Sequence, residues 1–580
     1  MEKVQQSRRW MQSEIVFWTF ILVCAALIVS LPAWIPGYMV TGHDMMFHLV
    51  RLQGIAEGLE FGTFPVRMNS AWFGGYGMPT GIFYPNLFLY PAALLYLAGT
   101  SLLTAWGSFL TMVNVLTAFV SWWAFSKFAR SSRTGAIAAL FYLGFLYRLV
   151  DVYVRSAAGE MLAMAFLPGA LVSAWMVLRR HSENWIAVVL CTTAILQSHV
   201  LTSLLVFLAD GIMVAVSFHS FRDPDVRRRT ALAALFTCLL NLWFYAPLIF
   251  LHHSMDYVLK GLRSADISGM AGSWAGADFY MGSAMLLLLV VLVLCFLVRR
   301  HQQPLPAIFW ILVALSALFF VVMGSHRFWH IAGSIGAILQ FPFRLAMFPA
   351  VFLSLAVAIG LERLGRKSVA MACAGICCVA NFYCLLGNGY SLPPRPLPSK
   401  PMPMMNGMRL GFLPVQELPR ELEWGSLYYH DYMDVSAEKP LRDEKHPERQ
   451  NPMRAKIAAS EIQPVDRIAN VQRKGDVFLL QCAEGPEARV QLPLFWYPGY
   501  VAENQTNGAA CDTGRDSDGQ VSVVLPSSAA TIRVWYAGLP WFRVTDAISL
   551  ISLLGFCIML CRLAFIDESC SGCYNDKRNG

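Results

Sequence analysis

The chain has 580 residues, 56% hydrophobic and only 14% charged, which excludes an ordinary soluble enzyme. Its 45 Lys and Arg against 37 Asp and Glu give a net charge of +8, but the basic residues collect in short loops between apolar runs, so the surplus reports membrane topology and no nucleic-acid partner is implied. The 14 Cys lie mostly singly in apolar runs, where a thiol is a small hydrophobe, and they do not form a disulfide scaffold.

In chain order, Lys3, Arg8 and Arg9 precede the apolar run 15–35, a signal anchor with its N-terminus inside. Further basic loops stand at Lys127, Arg130 and Arg133; at Arg179 and Arg180; at Arg222 and Arg227 to Arg229; at Arg299 and Arg300; and at Arg363, Arg366 and Lys367. Keeping all of them in the cytoplasm requires an even number of crossings between consecutive loops. The apolar runs 135–150 with 161–178, 185–199 with 200–218, 231–251 with 282–298, and 304–323 with 343–361 meet that condition. A last pair, 368–387 and 545–564, brackets a polar stretch, and 15–35 with 104–126 completes twelve expected spans. The apolar run 84–99 would break the parity, so it is expected to be interfacial or re-entrant. The stretch 185–218 must turn tightly near Gln197, Ser198 and His199.

Between 388 and 543 the composition turns polar, and six prolines from Pro393 to Pro403 make a stiff connector. Downstream, 477–482, 488–496, 519–525 and 531–536 read as short strands of a small sandwich-like β-rich domain, placed outside by the parity. Cys482 and Cys511 are its only cysteines and are as readily free as paired. The expected architecture is a polytopic α-helical membrane protein of about 12 transmembrane helices. Its parts are a transmembrane domain 1–387 with a first external loop 36–103, an external β-rich domain 388–543, and a last helix with cytoplasmic tail 544–580.

The first external loop carries the densest chemistry: Gly42-His43-Asp44-Met45-Met46-Phe47-His48-Leu49-Val50-Arg51, then Phe64-Pro65-Val66-Arg67, then Gly74-Gly75-Tyr76-Gly77-Met78-Pro79. On a helix starting near Asp44, positions 44, 48 and 51 share one face, bringing together an acid, an imidazole and a cation. An aspartate there also reads as a simple N-cap. The other external ends carry Arg155 and Glu160; His199; His326, Arg327 and His330; and Arg344 in Gln340-Phe341-Pro342-Phe343-Arg344. Any one arginine reads equally as an interfacial anchor, and a lone His199 more readily as a core histidine. Carboxylates, arginines and histidines on one side are what a site needs to deprotonate a hydroxyl and hold a departing phosphate. Asp210 lies within a span, without an assignable partner.

With those motifs, Arg155 to Glu160, His199 with Thr202, Gln340 to Arg344 and Leu494-Phe495-Trp496-Tyr497-Pro498-Gly499-Tyr500, the chain resembles bacterial integral-membrane glycosyltransferases of the C superfamily (GT-C). Within it the likeness is to the YfhO-like branch, which includes proteins labelled "6-pyruvoyl-tetrahydropterin synthase-related"; no pterin chemistry is visible in the residues. The resemblance implies a GT-C-like fold in the bacterial cytoplasmic (inner) membrane with an extracytoplasmic active site. It implies transfer of a sugar, with inversion, from a polyprenyl-phosphate donor to a glycan, lipid or polymer acceptor of the cell envelope. Asp44 would be the catalytic base, His48 and Glu160 its partners in proton work, and Arg67, Arg155 and Arg344 the phosphate binders. His43, Arg51, Tyr76 and His199 would complete the substrate site. Several GT-C enzymes carry two adjacent acids in this loop and use a divalent metal, whereas here Met45 follows Asp44. Asp44 and Glu160 could still hold Mg or Mn through oxygens, or His43 and His48 could do the proton work without a metal; no organic cofactor is implied. The rival readings are a transporter or flippase of lipid-linked glycans, which would place paired charges near the midplane, and a non-catalytic scaffold for envelope assembly.

Overall fold

The computed structural model of the chain describes residues 2–256, 304–363, 367–386, 411–418 and 466–576. Among them, seven helices are long and apolar enough to cross a bilayer: Ser13–Trp34, Leu102–Ala129, Ala158–Leu178, Pro224–Ser254, Ala307–Gly324, Pro342–Arg363 and Pro540–Arg562. Ser132–Leu143 and Leu146–Arg155, bent by 47° at their break, make an eighth if the two are one crossing. The expected count of twelve is not reached among the described residues. Trp185–Leu196 has 12 residues and Val200–Val216 has 17, because the tight turn between them leaves neither at full length. A 12-residue helix rises only about 18 Å against a hydrocarbon core of about 30 Å. The run 282–298 lies outside the described residues, Lys367–Leu386 forms a helix over the run 368–387, and the run 84–99 holds the short apolar helix Leu87–Leu97.

Two of these helices form the centre of the bundle. Ala158–Leu178 and Pro342–Arg363 are apolar around their whole circumference and buried over 78% and 89% of their most apolar windows, whereas Pro540–Arg562 is buried over 17% and shows its side chains outward. Leu102–Ala129 packs against the first helix, Ser132–Leu143 and Ala158–Leu178. Both central helices begin at the end of the bundle where the polar residues gather, which places the first-turn Glu160 of one and the nearby Arg344 of the other close together.

Among the described residues, ten strands lie outside the helical bundle. β1 (Tyr38–Thr41) and β2 (Gly411–Pro414) form a two-stranded antiparallel ladder. The remainder are β3 (Ile468–Lys474), β4 (Val477–Cys482), β5 (Ala488–Phe495), β6 (Tyr500–Asn504), β7 (Ala510–Cys511), β8 (Thr513–Arg515), β9 (Gln520–Leu525) and β10 (Ala530–Tyr536). They make a five-stranded sheet in the order β3-β4-β10-β6-β7 and a three-stranded sheet in the order β5-β9-β8. Strict alternation of buried and half-buried residues along β6 and β10 marks one face turned inward, and Leu480, Ile532 and Val534 meet Val490, Leu492, Val521 and Val523 in a shared core. Cys482 and Cys511 are free thiols.

That core continues into the first external loop through Trp72, Phe73, Tyr76, Met78, Ile82 and Phe83. The Phe495 ring lies 4.9 Å from that of Tyr76 and 5.5 Å from that of Phe73, and its N–H donates to the Tyr76 carbonyl at 2.9 Å. The β-region and the first loop are therefore one hydrophobic unit, and the loop's helix Met45–Glu60 is held on a rigid base.

Candidate functional site

The segment Gly42-His43-Asp44 lies against the turn at 151–156. A Cβ on Gly42 would come within 2.0 Å of the Ser156 hydroxyl, so only glycine permits the approach. The His43 N–H donates to the Val154 carbonyl at 3.0 Å and the Asp44 N–H to the Arg155 carbonyl at 2.8 Å, which staples the loop backbone to the turn that carries Arg155. Asp44 directly precedes helix Met45–Glu60, yet its carboxylate makes no capping bond. It has no hydrogen bond or ion pair among the described residues and is only half-buried. Burial pushes its carboxyl above the usual aspartate range, while Arg155, His43 and Arg344 pull it down and Glu160 pushes it up.

Behind Asp44 stands a buried ionic group. A π-helical turn, Asp151–Arg155, puts Asp151 and Arg155 side by side, with Arg155 Nη1 donating to Asp151 Oδ1 at 2.6 Å and to Glu160 Oε2 at 2.8 Å. Arg344 Nε donates to the same Glu160 oxygen at 3.0 Å, and its Nη1 donates to the Leu339 carbonyl at 2.8 Å and Gln340 Oε1 at 2.9 Å. The Tyr147 hydroxyl donates to Glu160 Oε1. Glu160 is fully buried and holds the two guanidinium groups in fixed positions, with Phe341 5.7 Å from Arg155 and 5.3 Å from Arg344. The Nη2 groups of both arginines carry no hydrogen bond among the described residues and are not sealed from solvent. The Asp44 carboxylate lies within electrostatic reach of both of these oriented cations.

This donor set does not fit a divalent cation. Both Glu160 oxygens already accept hydrogen bonds and are flanked by two guanidinium groups, Asp151 is paired with Arg155, and Asp44 is the single carboxylate of this cluster without an ion pair; no group of three His, Cys, Asp or Glu able to hold a metal occurs among the described residues. Glu160, expected as a second acid or metal ligand, is a positioning residue for Arg155 and Arg344.

His48 and Arg51 do share a face of their helix, but they turn to each other. The buried His48 ring accepts the Ala158 N–H at Nε2 (3.1 Å) and stands 2.9 Å from Arg51 Nη1 at Nδ1. Both neighbours are donors, and a neutral ring offers one acceptor nitrogen, so an added proton would oppose them. Burial, Arg51 and His199 hold the imidazole well below its ordinary pKa of 6.5. His48 pins the loop helix to the start of helix Ala158–Leu178, with both ring nitrogens engaged by donors. Arg51 Nη2 donates to the Pro85 carbonyl and Asn86 Oδ1, both at 2.7 Å, and its guanidinium lies 4.2 Å over the Tyr84 ring; burial lowers its pKa to about 10. It organises the Tyr84–Asn86 segment. His199 caps helix Val200–Val216, accepting the Thr202 N–H at 3.3 Å, within electrostatic reach of Glu160 and Arg344. His43 is exposed beside Asp44.

No protein-family model matches the chain, and no curated protein matches it. Among solved structures, it is similar to the arabinofuranosyltransferase AftD from Mycobacteria, at 14% identity over 63% of this chain and 26% of that one, with a TM-score of 0.39. It is also similar to ArnT from Cupriavidus metallidurans bound to undecaprenyl phosphate, at 17% identity over 62% of this chain and 64% of that one, with a TM-score of 0.37. The Archaeoglobus fulgidus oligosaccharyltransferase, a complex with Zn and sulfate, gives 13% identity over 74% of this chain and 56% of that one, with a TM-score of 0.34. The chain spans about a quarter of the length of AftD and less than two thirds of ArnT.

Two expected site residues lie elsewhere. Arg67 makes a two-point ion pair with Asp546 of the last helix, at 2.5 and 3.2 Å, and is used up as a clamp between the first loop and that helix. Tyr76 is buried against Phe495 in the β-region core. Conversely, Asp151 and Tyr147 belong to the ionic group without a motif that marks them, and Gln340 joins it from the segment that carries Arg344; the four-residue spacing of Asp151 and Arg155 within an apolar run is the available signal. Asp210 has a buried Oδ1 without a partner, away from this group.

Proposed function

We propose that the chain is a membrane glycosyltransferase of GT-C type that moves a sugar from a polyprenyl-phosphate donor to a cell-envelope acceptor on the extracytoplasmic face. One observation carries this reading: the unpaired, half-buried carboxylate of Asp44 lies in the field of Arg155 and Arg344, whose open Nη2 groups are oriented by Glu160. Asp44 takes the proton of the acceptor hydroxyl, and the oxygen attacks the anomeric carbon from the face opposite the phosphate. The bond between that carbon and the phosphate oxygen breaks with its electron pair on the phosphate, giving inversion. Charge grows on the leaving phosphate as the bond lengthens, and guanidinium groups already in place stabilise it without reorganising. A carboxyl raised above the ordinary range is a stronger base toward the acceptor proton. His43, beside Asp44, is a further substrate contact in this reading.

The test is incubation of the purified protein with a panel of polyprenyl-phosphate sugars, following release of polyprenyl phosphate. Release from at least one donor is expected. Movement of lipid-linked glycan across a vesicle membrane with no release from any donor would favour a flippase instead.

A further inference from the structure

Asp44 is held from two sides, and one holder comes from far downstream. On one side are the backbone bonds of His43 and Asp44 to the turn at 154–155. On the other, β1 runs straight into Gly42-His43-Asp44 and is paired along its whole length with β2: Tyr38 opposite Pro414, Met39 opposite Leu413, Val40 opposite Phe412 and Thr41 opposite Gly411. The pairing ends at Thr41, three positions before Asp44. The chain then continues along the same path, with the Val415 N–H donating to the Gly37 carbonyl at 3.1 Å, and Leu418 is inserted, only 6% exposed, into the core of the helical bundle. Met39 and Val40 are fully buried beneath the ladder.

A two-stranded ladder of four residues is marginal on its own. Here it is tied at its Gly37–Pro414 end, by the Val415 bond and the Leu418 anchor, and the pairing carries that hold along β1 to Thr41 and the loop that follows. The arginines are fixed by a different set of contacts, through Glu160, Gln340 and Leu339. The base and the phosphate-binding cations thus have separate supports.

We propose that residues 411–418 are a strap that positions Asp44 for the transfer step, acting on the base and leaving the donor's phosphate contacts alone. This rests on the reading of Asp44 as the base. Val415→Pro removes the bond to Gly37, and Leu418→Ala removes the anchor while keeping every backbone bond, so the second variant carries the test if the first does not fold.

The expected result is a kcat lower by about 10- to 100-fold in Val415→Pro and by a smaller factor in Leu418→Ala, the scale of loss for a reacting group displaced by about 1 Å. The KM for the lipid donor stays within about twofold of the parent, as uniform binding is untouched, and amide hydrogen exchange from Met39 to Asp44 speeds up. Unchanged kcat in the folded variants, or a rise in donor KM with kcat preserved, overturns the proposal. If the parent protein turns over no donor, the reading of Asp44 as base has failed, and the strap is judged by exchange alone. Faster exchange at the His43 and Asp44 amides in Leu418→Ala then keeps it as the holder of this loop, and unaltered exchange overturns it.

Discussion

Arg344 Nε lies 3.0 Å from Glu160 Oε2, a bond between residues 184 positions apart that joins the starts of the two central helices. Glu160 also receives Arg155 at 2.8 Å, so one buried carboxylate sets the positions of both cations. Removing it leaves the buried Arg344 without a carboxylate partner and Arg155 with Asp151 alone.

Glu160→Gln keeps the size of the side chain and deletes its charge. Breaking a buried ion pair from one side costs about 3–5 kcal/mol, so the unfolding midpoint in detergent should fall sharply and the affinity for polyprenyl phosphate should fall with it. An unaltered midpoint would show that Glu160 does not organise the arginines.

His48 should behave as a neutral acceptor. His48→Gln, which can still accept a hydrogen bond, is expected to retain most transfer activity, whereas His48→Ala leaves a buried donor unsatisfied and costs about 1–3 kcal/mol. The folded ring titrates well below 6.5 and the unfolded ring near it. Its stabilising contribution is therefore complete above that value and drains away as the pH falls below it, by about 1.4 kcal/mol per pH unit. Unfolding measured from pH 7 down to pH 5 should show this slope in the parent and a shallower one in His48→Gln. An inactive but well-folded His48→Gln would restore the proton-shuttle role.

Asp44 has the opposite sign. Its folded carboxyl is raised above the ordinary aspartate value of 3.8, so it favours the fold when protonated, and that contribution is lost as the pH rises through the folded value. At neutral pH, Asp44→Asn should accordingly be at least as stable as the parent. In the parent, transfer activity should rise with pH through a midpoint above 3.8, reporting ionisation of the base. Thermal unfolding and the pH dependence of kcat/KM check the two halves of this prediction.

Arg67 and Asp546 should couple energetically without touching the donor site. A double-mutant cycle on Arg67→Ala and Asp546→Ala is expected to give an interaction of about 1–2 kcal/mol in stability, in the range of hydrogen bonds to charged groups that remain partly accessible. Donor KM should be unchanged in each. A large rise in donor KM for Arg67→Ala alone would return Arg67 to the phosphate site.

What the sequence makes legible follows from periodicity and charge. Strand β4 falls on the run 477–482, and β5, β9 and β10 agree with their expected runs to within a residue, because alternation with turn residues at both ends marks them. β2 and β3 escape it, since a four-residue strand after a proline run, or one exposed along nearly its whole length, has no such signal. Loop basicity placed Arg155, Glu160, His199 and Arg344 at one end, and they do meet. Arg67 and Tyr76 share their motif with that loop, while the partners they meet, Asp546 and Phe495, lie more than 400 positions away and leave no local signal. His48 and Arg51 were read as facing substrate because helical spacing shows that two side chains share a face and cannot show that they saturate each other.

The central claim, that Asp44 is the base beside a preorganised phosphate site, is tested most directly by comparing the parent with Asp44→Asn on a polyprenyl-phosphate sugar that the parent turns over. Donor affinity and initial rate of polyprenyl phosphate release should be measured on the same preparations. The expected outcome is unchanged donor binding with release reduced by at least about 1000-fold, the scale of losing an essential proton acceptor. Release at the parental rate from the Asn variant would contradict it.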